Sequence, residues 1–262
     1  MKQQESAEKK FKRIRVLERP IDALTQEEAL EIIRRDWKNR DRVMHIITAN
    51  PETIYCCSRD QTLEQCMEEA EMVTADGSGV VLASRLMGSP LPQRVAGYDL
   101  MRRALVEAEQ LEIPVFLLGA EPQVLRQAVE KIKNEHPALT LAGSHHGYFR
   151  EEEEEAILRE ITAARPGLLL VAMGVPRQER WIWRYKKKLP PCVAIGVGGS
   201  FDILAGKTKR APLWMQKSGM EWLYRLTREP RRLRRIALIL PLFLFKVTLR
   251  SLQKRAPSKN RE

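Results

Sequence analysis

VMHIITANPE, residues 43–52, is the stretch from which the fold can be read. Residues 43–49 form an apolar run with β-branched members, the composition of a strand. Asn50-Pro51-Glu52 ends it: Asn50 suits an N-cap and Pro51 the first helical position, so a strand feeds directly into a helix. Upstream, Thr25 and Glu28 have the spacing of a capping box, and Ala29, Ile32, Ile33 and Trp37 share one face of the packing helix behind it. Downstream the strand-to-helix unit recurs. A short strand over residues 71–75 stops at Asp76-Gly77-Ser78 and leads to a helix over 79–87, then a loop with Arg94 and a helix from about Tyr98 to Gln110. PVFLLG (114–119) precedes a helix over 122–135, and a weaker strand at 139–142 leads to HHGYF (145–149) and an acidic helix over 151–164. Residues 168–173 form the clearest buried strand, followed by Gly174-Val175-Pro176-Arg177-Gln178 and a helix through Tyr185; residues 193–197 close the series. Strands alternating with helices in this way predict an α/β, Rossmann-like, mainly parallel sheet with helices on both faces. Ligands of such folds gather at the carboxyl ends of the strands, which draws attention to Thr48, Asn50, Asp76, Gly119, Tyr148, Arg177, Gln178 and the loop 196–202.

The chain has 262 residues, 44% of them hydrophobic and 30% charged, enough for one large domain with an appendage. Its charge is unevenly placed. Residues 203–262 hold 16 Lys+Arg against 3 Asp+Glu, a local +13 in a chain whose total is +11, leaving −2 for residues 1–202. A basic tail of this kind implies an anionic partner: a lipid surface, a nucleic acid or a diphosphate. Four cysteines form no CxxC pair and no spaced metal set, which fits a reducing cytoplasm. The first twenty residues carry positive charge without the apolar run of a signal peptide. The expected organisation is a flexible arm over 1–18, an α/β domain over 19–205 and a basic helical C-terminal appendage over 206–262.

The chemistry-bearing residues have more than one reading. Gly196-Val197-Gly198-Gly199-Ser200 gives backbone amides close access to an anion, yet it matches neither GxGxxG nor a Walker sequence, and a tight structural turn explains it equally. Asp202 just beyond can accept from ribose or base, or cap the next segment. Asp76 ends a strand and projects into the crevice, where it is a general base or an N-cap for the helix at Ser78. Thr48 and Asn50 suit sugar hydroxyls, although Asn50 is also an excellent cap. Arg94 is a solvated loop residue or a neutraliser of charge on a leaving diphosphate. The chain contains no Asp-x-Asp, so a sugar-nucleotide reaction here is expected to run without a divalent ion, with no metal ligands and no cofactor. His145 and His146 lack metal-ligand spacing and read as loop residues.

Arg225, Arg228, Arg232 and Arg235 fall at i, i+3, i+7 and i+10, on one side of a helix unless Pro230 starts a second one. Residues 236–245 are apolar, interrupted by Pro241 and stopped by Lys246. Since a spanning helix needs about 20 apolar residues, this segment is expected to lie on a bilayer, with Trp214, Trp222 and Tyr224 at the interface. The alternative is a basic helix that packs its apolar face on the domain.

ITANPE (47–52), ADGSGVV (75–81), RVAGYDL (94–100), FLLGA (116–120), GYF (147–149), VAMGVPRQERWI (171–182), GVGGSFDILAGKTKRAP (196–212) and GMEWLYRLTREPRR (219–232) together resemble the WecG/TagA/CpsF glycosyltransferases, family 26. The resemblance spans about residues 14–235 in order and is strongest to the TagA branch, the N-acetylmannosaminyltransferases of wall teichoic acid synthesis. It implies an inverting, metal-independent transfer of N-acetylmannosamine from its UDP conjugate to N-acetylglucosaminyl-diphospho-undecaprenol at the inner face of the plasma membrane. It further implies Asp76 as general base, and Thr48, Asn50, Arg94 and Gln178 in the sugar and acceptor pocket. Tyr148 and Asp202 would hold the uridine, and Arg225, Arg232 and Arg235 would close over the diphosphates; from the residues themselves, Gly198 and Gly199 are expected to line the substrate site and Arg228 to share the basic helical side with those arginines. The implied partners are the UDP-sugar donor, the lipid-linked acceptor and the membrane surface; a homo-oligomer is compatible with all of this. Two rivals stand beside it: a family relative with another donor, such as UDP-N-acetylmannosaminuronic acid, and a nucleic-acid-binding α/β protein with a basic tail.

Overall fold

The computed structural model describes residues 11–218, 220–221, 223–224 and 230–255, with the backbone alone at residue 217, over 230–238 and over 254–255. Six parallel strands make the central sheet: β3 (Val43–Ala49), β4 (Met72–Ala75), β5 (Val115–Gly119), β6 (Leu141–His145), β7 (Leu168–Ala172) and β8 (Cys192–Gly196), in the order β4-β3-β8-β7-β5-β6. The Rossmann-like α/β sheet expected from the sequence is the one observed. The buried strands alternate their side chains between faces as a pleat requires. Met44 and Ile46 enter the core beneath α1 (Gln26–Asn39), α5 (Gly97–Gln110) and α6 (Pro122–Glu135). Val43 joins the opposite core with α7 (Glu154–Ala164) and α8 (Arg177–Tyr185), and Ile47 and Ala49 a third cluster with α2 (Pro51–Cys57), α3 (Gln61–Glu69) and α4 (Ser78–Leu86). Thr25 and Glu28 make the expected capping box, and Asn50 caps α2 with Pro51 behind it.

The arm expected over residues 1–18 is corrected from residue 13 onward. Arg13–Val16 (β1) pairs antiparallel with Arg19–Asp22 (β2). Ile14 and Val16 are buried, and Asp22, itself buried, receives both Nε and Nη2 of Arg13 at 2.6 and 2.9 Å and the backbone N–H of Val73 at 2.7 Å. The hairpin therefore fastens to the edge strand β4 through a side chain as well as through its apolar face. β6 begins two residues later than the sequence suggests.

After α9 (Ser200–Leu204) the chain forms α10 (Leu213–Lys217) and then α11 (Pro230–Arg255), which starts at the proline. The apolar run 236–245 does not lie wholly outward: Phe243 and Val247 are fully buried among Ile14, Val16, Leu63 and Val80, and the Ser251 hydroxyl donates to Leu86 O at 2.6 Å. Burial of a side chain such as Phe243 contributes about 1.5–3 kcal/mol, which fixes this half of the appendage to α2 and α4. Leu242, Phe245, Leu249 and Leu252, spaced by three, four and three residues, stay exposed on its other side. Among the described residues no helix is long and apolar enough to cross a membrane.

Candidate active site at the carboxyl edge of the sheet

The carboxyl ends of β3, β4, β7 and β8 surround a cavity of about 110 Å³ whose walls include Thr48, Asn50, Asp76, Arg94, Gln178, Gly198 and Gly199. Seven residues proposed from the sequence as site residues thus meet in one place. A second cavity of about 140 Å³ shares Asn50, Asp76 and Arg94 and extends toward Gly79, Glu221, Ile239 and Leu240. Asp76 and Arg94 stand at the junction of the two.

Each wall residue is placed by its backbone. The N–H of Asp76 donates to Ala49 O at 2.8 Å, so the aspartate continues the ladder one step beyond β4. The N-cap position of α4 is Gly77, at φ +109°, where a side chain would be strained. This corrects the alternative in which Asp76 is the cap residue. Asn50 caps α2 by accepting from Thr53 N at 2.9 Å through Oδ1, which leaves its amide nitrogen as the group to meet a ligand. Thr48 donates its hydroxyl to Gly196 O at 2.8 Å, retaining acceptor capacity on the oxygen.

Gln178 is buried and works between two loops. Its Oε1 accepts from Gly174 N at 3.1 Å and Gly198 N at 3.0 Å, while Nε2 donates to Glu179 Oε1 at 2.8 Å. The Gly198 amide, which the sequence offers as an anion donor, is therefore committed to Gln178. A Cβ on Gly196 would come within 2.6 Å of Gln178 Nε2 and 3.0 Å of Glu179 Oε1, which explains the glycine there. Full burial pushes the Glu179 carboxyl up to about 7.

Arg94 donates Nη2 to Glu221 Oε2 at 2.6 Å and has Nε 3.9 Å from Asp76 Oδ1. Glu221, nearly buried, comes from the appendage, and its Oε1 is 4.0 Å from Nε of Arg210. Arg210 is in turn held by Asp99 through two contacts of 2.6 Å and lies over the Tyr98 ring at 5.0 Å. Sequence reasoning missed Glu221, Arg210 and Glu179. Each sits within one of the family-like blocks, but nothing local marks Glu221 or Arg210, whose partners are remote in the chain.

Tyr148 and Asp202 are not in the cavity wall. Tyr148 is 67% exposed, with its hydroxyl 3.5 Å from Glu121 Oε1, and Lys207 joins Glu121 at 2.8 Å to Asp202 at 3.6 Å, so both expected uridine contacts stand on one linked rim. Arg225 and Arg228 lie outside the described residues, and Arg232 and Arg235 are described by backbone only, in the first turns of α11. Among the described residues no group of three or more His, Cys, Asp or Glu is arranged to hold a metal ion.

The family model of the glycosyl transferase WecG/TagA/CpsF family matches residues 14–257. A relative from Bacillus spizizenii, named N-acetylglucosaminyldiphosphoundecaprenol N-acetyl-beta-D-mannosaminyltransferase, is 39% identical over 200 residues, 76% of this chain and 77% of its own. A protein of the same name from Bacillus subtilis is 37% identical, covering 73% and 74% of the two chains. A third of that name, from Staphylococcus aureus, is 34% identical over 228 residues, 87% of this chain and 89% of its own.

Proposed function

The chain belongs to the glycosyl transferase WecG/TagA/CpsF family, and from that premise we propose that it transfers N-acetylmannosamine from UDP-N-acetylmannosamine to N-acetylglucosaminyl-diphospho-undecaprenol. The product is a β-linked disaccharide lipid, the linkage unit of a wall teichoic acid. The observation that carries the reading is the meeting of Asp76 and Arg94 at the junction of two adjoining cavities, in a chain whose relatives are named for this transfer.

In this mechanism Asp76 takes the proton of the acceptor hydroxyl as that oxygen bonds to the anomeric carbon. The bond from that carbon to the diphosphate oxygen breaks on the opposite face, its electron pair leaves with UDP, and configuration inverts. Arg94 stabilises the negative charge gathering on the diphosphate, where a preorganised guanidinium is worth most. Thr48 and the Asn50 amide bind sugar hydroxyls, and Gln178 acts by holding the glycine loops at Gly174 and Gly198 in place. Tyr148 and Asp202 on the rim receive the uridine, and the tail arginines Arg225, Arg228, Arg232 and Arg235 approach the lipid diphosphate.

The appendage works at the inner face of the plasma membrane. Its support is the division of α11 into a buried side bearing Phe243 and Val247 and an exposed stripe of Leu242, Phe245, Leu249 and Leu252, with Leu213 and Trp214 of α10 also exposed. An apolar stripe on a basic segment suits an anionic lipid surface. A donor screen with a short-chain lipid acceptor tests the proposal, reading UDP release and product mass: UDP-N-acetylmannosamine is expected to give a disaccharide lipid, and turnover only with another UDP-sugar would reassign the donor.

A further inference from the structure

Two arginines line the same cavity, and each carries a buried donor that has nothing to bind. Arg94 spends Nη2 on Glu221 and Arg210 spends both terminal nitrogens on Asp99, yet the Nε of each is buried and lacks a hydrogen-bond partner among the described residues. The nearest carboxylate oxygens are too far to accept: 3.9 Å from Arg94 Nε to Asp76 and 4.0 Å from Arg210 Nε to Glu221. A buried donor left unpaired is destabilising, so two of them at one junction mark a place built for a group that is brought in. Both guanidinium groups are fixed before it arrives, Arg94 by Glu221 and Arg210 by Asp99 and the Tyr98 ring.

Glu221 sets the spacing. One of its oxygens holds Arg94 and the other lies next to Arg210, so the two arginines stand one carboxylate apart. Two guanidinium charges at that separation, each with an unpaired Nε donor, suit an anion with several oxygens on neighbouring centres better than a single carboxylate. We propose that Arg210 is a second arginine of a diphosphate subsite shared with Arg94, and that Glu221 is the internal counter-ion which occupies the pair until the diphosphate displaces it. The clamp itself stands on this geometry; only the identity of the diphosphate, from nucleotide sugar or from lipid, rests on the transfer reading above. Because Glu221 belongs to the appendage, arrival of the diphosphate at the arginines also alters what holds the appendage to the site.

Calorimetric titration of the full chain with inorganic pyrophosphate tests the clamp without presupposing any sugar. Arg210→Gln is expected to weaken pyrophosphate by about tenfold or more, since charge-assisted bonds are lost, whereas Glu221→Gln is expected to tighten it. Should the glutamine variant of Arg210 fail to fold, Arg210→Lys keeps the charge but loses the Nε donor, and a weakened affinity is expected there too. UDP compared with uridine then assigns the source: loss of UDP affinity with uridine spared identifies the donor diphosphate. Unchanged UDP affinity with a raised KM for the lipid acceptor identifies the acceptor diphosphate. Unaltered pyrophosphate affinity in both Arg210 variants, parallel loss of uridine, or weaker binding in Glu221→Gln overturns the proposal. Wild-type chain that binds pyrophosphate through Arg210 but transfers no sugar would sink the transfer reading and leave the clamp standing.

Discussion

Arg94 and Asp76 stand side by side without a hydrogen bond between them: the arginine Nε is 3.9 Å from the aspartate Oδ1, and the guanidinium is anchored instead to Glu221 at 2.6 Å. The cation is therefore positioned by a third residue and does not donate to the carboxylate proposed as base. A base has to take a proton from substrate, and a cation has to meet the leaving group; this arrangement separates the two duties.

Asp76→Asn is expected to keep UDP binding and to lower kcat by about 10²- to 10⁴-fold, the usual weight of a general base. Binding by calorimetry and turnover by UDP release check it together. Near-normal turnover would remove Asp76 from the mechanism.

Gly196→Ala drives a methyl group against Gln178 and Glu179, at 2.6 and 3.0 Å from their buried polar atoms. Overpacking of this sort costs about 1–3 kcal/mol, and because Gln178 holds the Gly174 and Gly198 loops, KM for the donor should rise as well. Denaturant unfolding and a donor titration give the two numbers. A donor KM left unchanged would argue that Gln178 is not a support of the binding loops.

Glu179 makes stability depend on pH in a defined direction. Its carboxyl is pushed up to about 7 by burial, against an ordinary 4.5, so between these values the folded chain keeps a proton that the unfolded chain has released. Stability contributed by this group is full below pH about 4.5, falls as pH rises toward about 7, and is level above that. Relative to wild type, Glu179→Gln should therefore gain stability on going from pH 4.5 to pH 8, other titrations cancelling in the difference. Thermal midpoints of both proteins across that range check the sign, and a constant difference would count against a buried, titrating Glu179.

Phe243 and Phe245 are two residues apart on α11 and should behave oppositely. Phe243 is fully buried, and Phe243→Ala is expected to cost about 3–5 kcal/mol. Phe245 is 66% exposed, so Phe245→Glu should alter stability by no more than about 0.5 kcal/mol while weakening flotation with anionic vesicles. Undiminished flotation of the Phe245→Glu, Leu249→Glu double variant would take the exposed stripe out of membrane contact.

The elements legible in the sequence are those that local chemistry determines. β3 is found from end to end because an apolar run is closed by Asn50-Pro51, and the caps at Thr25 and Asn50 need partners only three residues away. β6 is displaced by two residues because it is a half-exposed edge strand without an apolar signature. β1 looks like part of a basic arm because the arginine that suggests disorder in composition is paired with Asp22 in the fold. α3, capped by Asp60, is hidden between two clearer elements. At the site, Asp76, Asn50 and Gln178 can be named because strand ends are where such folds bind. Glu221 cannot, since its partner Arg94 is 127 residues away, and Arg210 meets Asp99 across 111.

The cluster that buries Ile14 and Val16 also buries Phe243 and Val247, so β1 and α11, the first strand and the last helix among the described residues, complete a single core. Synthesis proceeds from the amino end at about 5–20 residues per second, which puts on the order of tens of seconds between the hairpin and the helix that closes over its neighbours. Until Phe243 and Val247 emerge from the ribosome, their seat against α2 and α4 stands open, and a chain stalled or nicked ahead of them would present that apolar seat to chaperones and proteases.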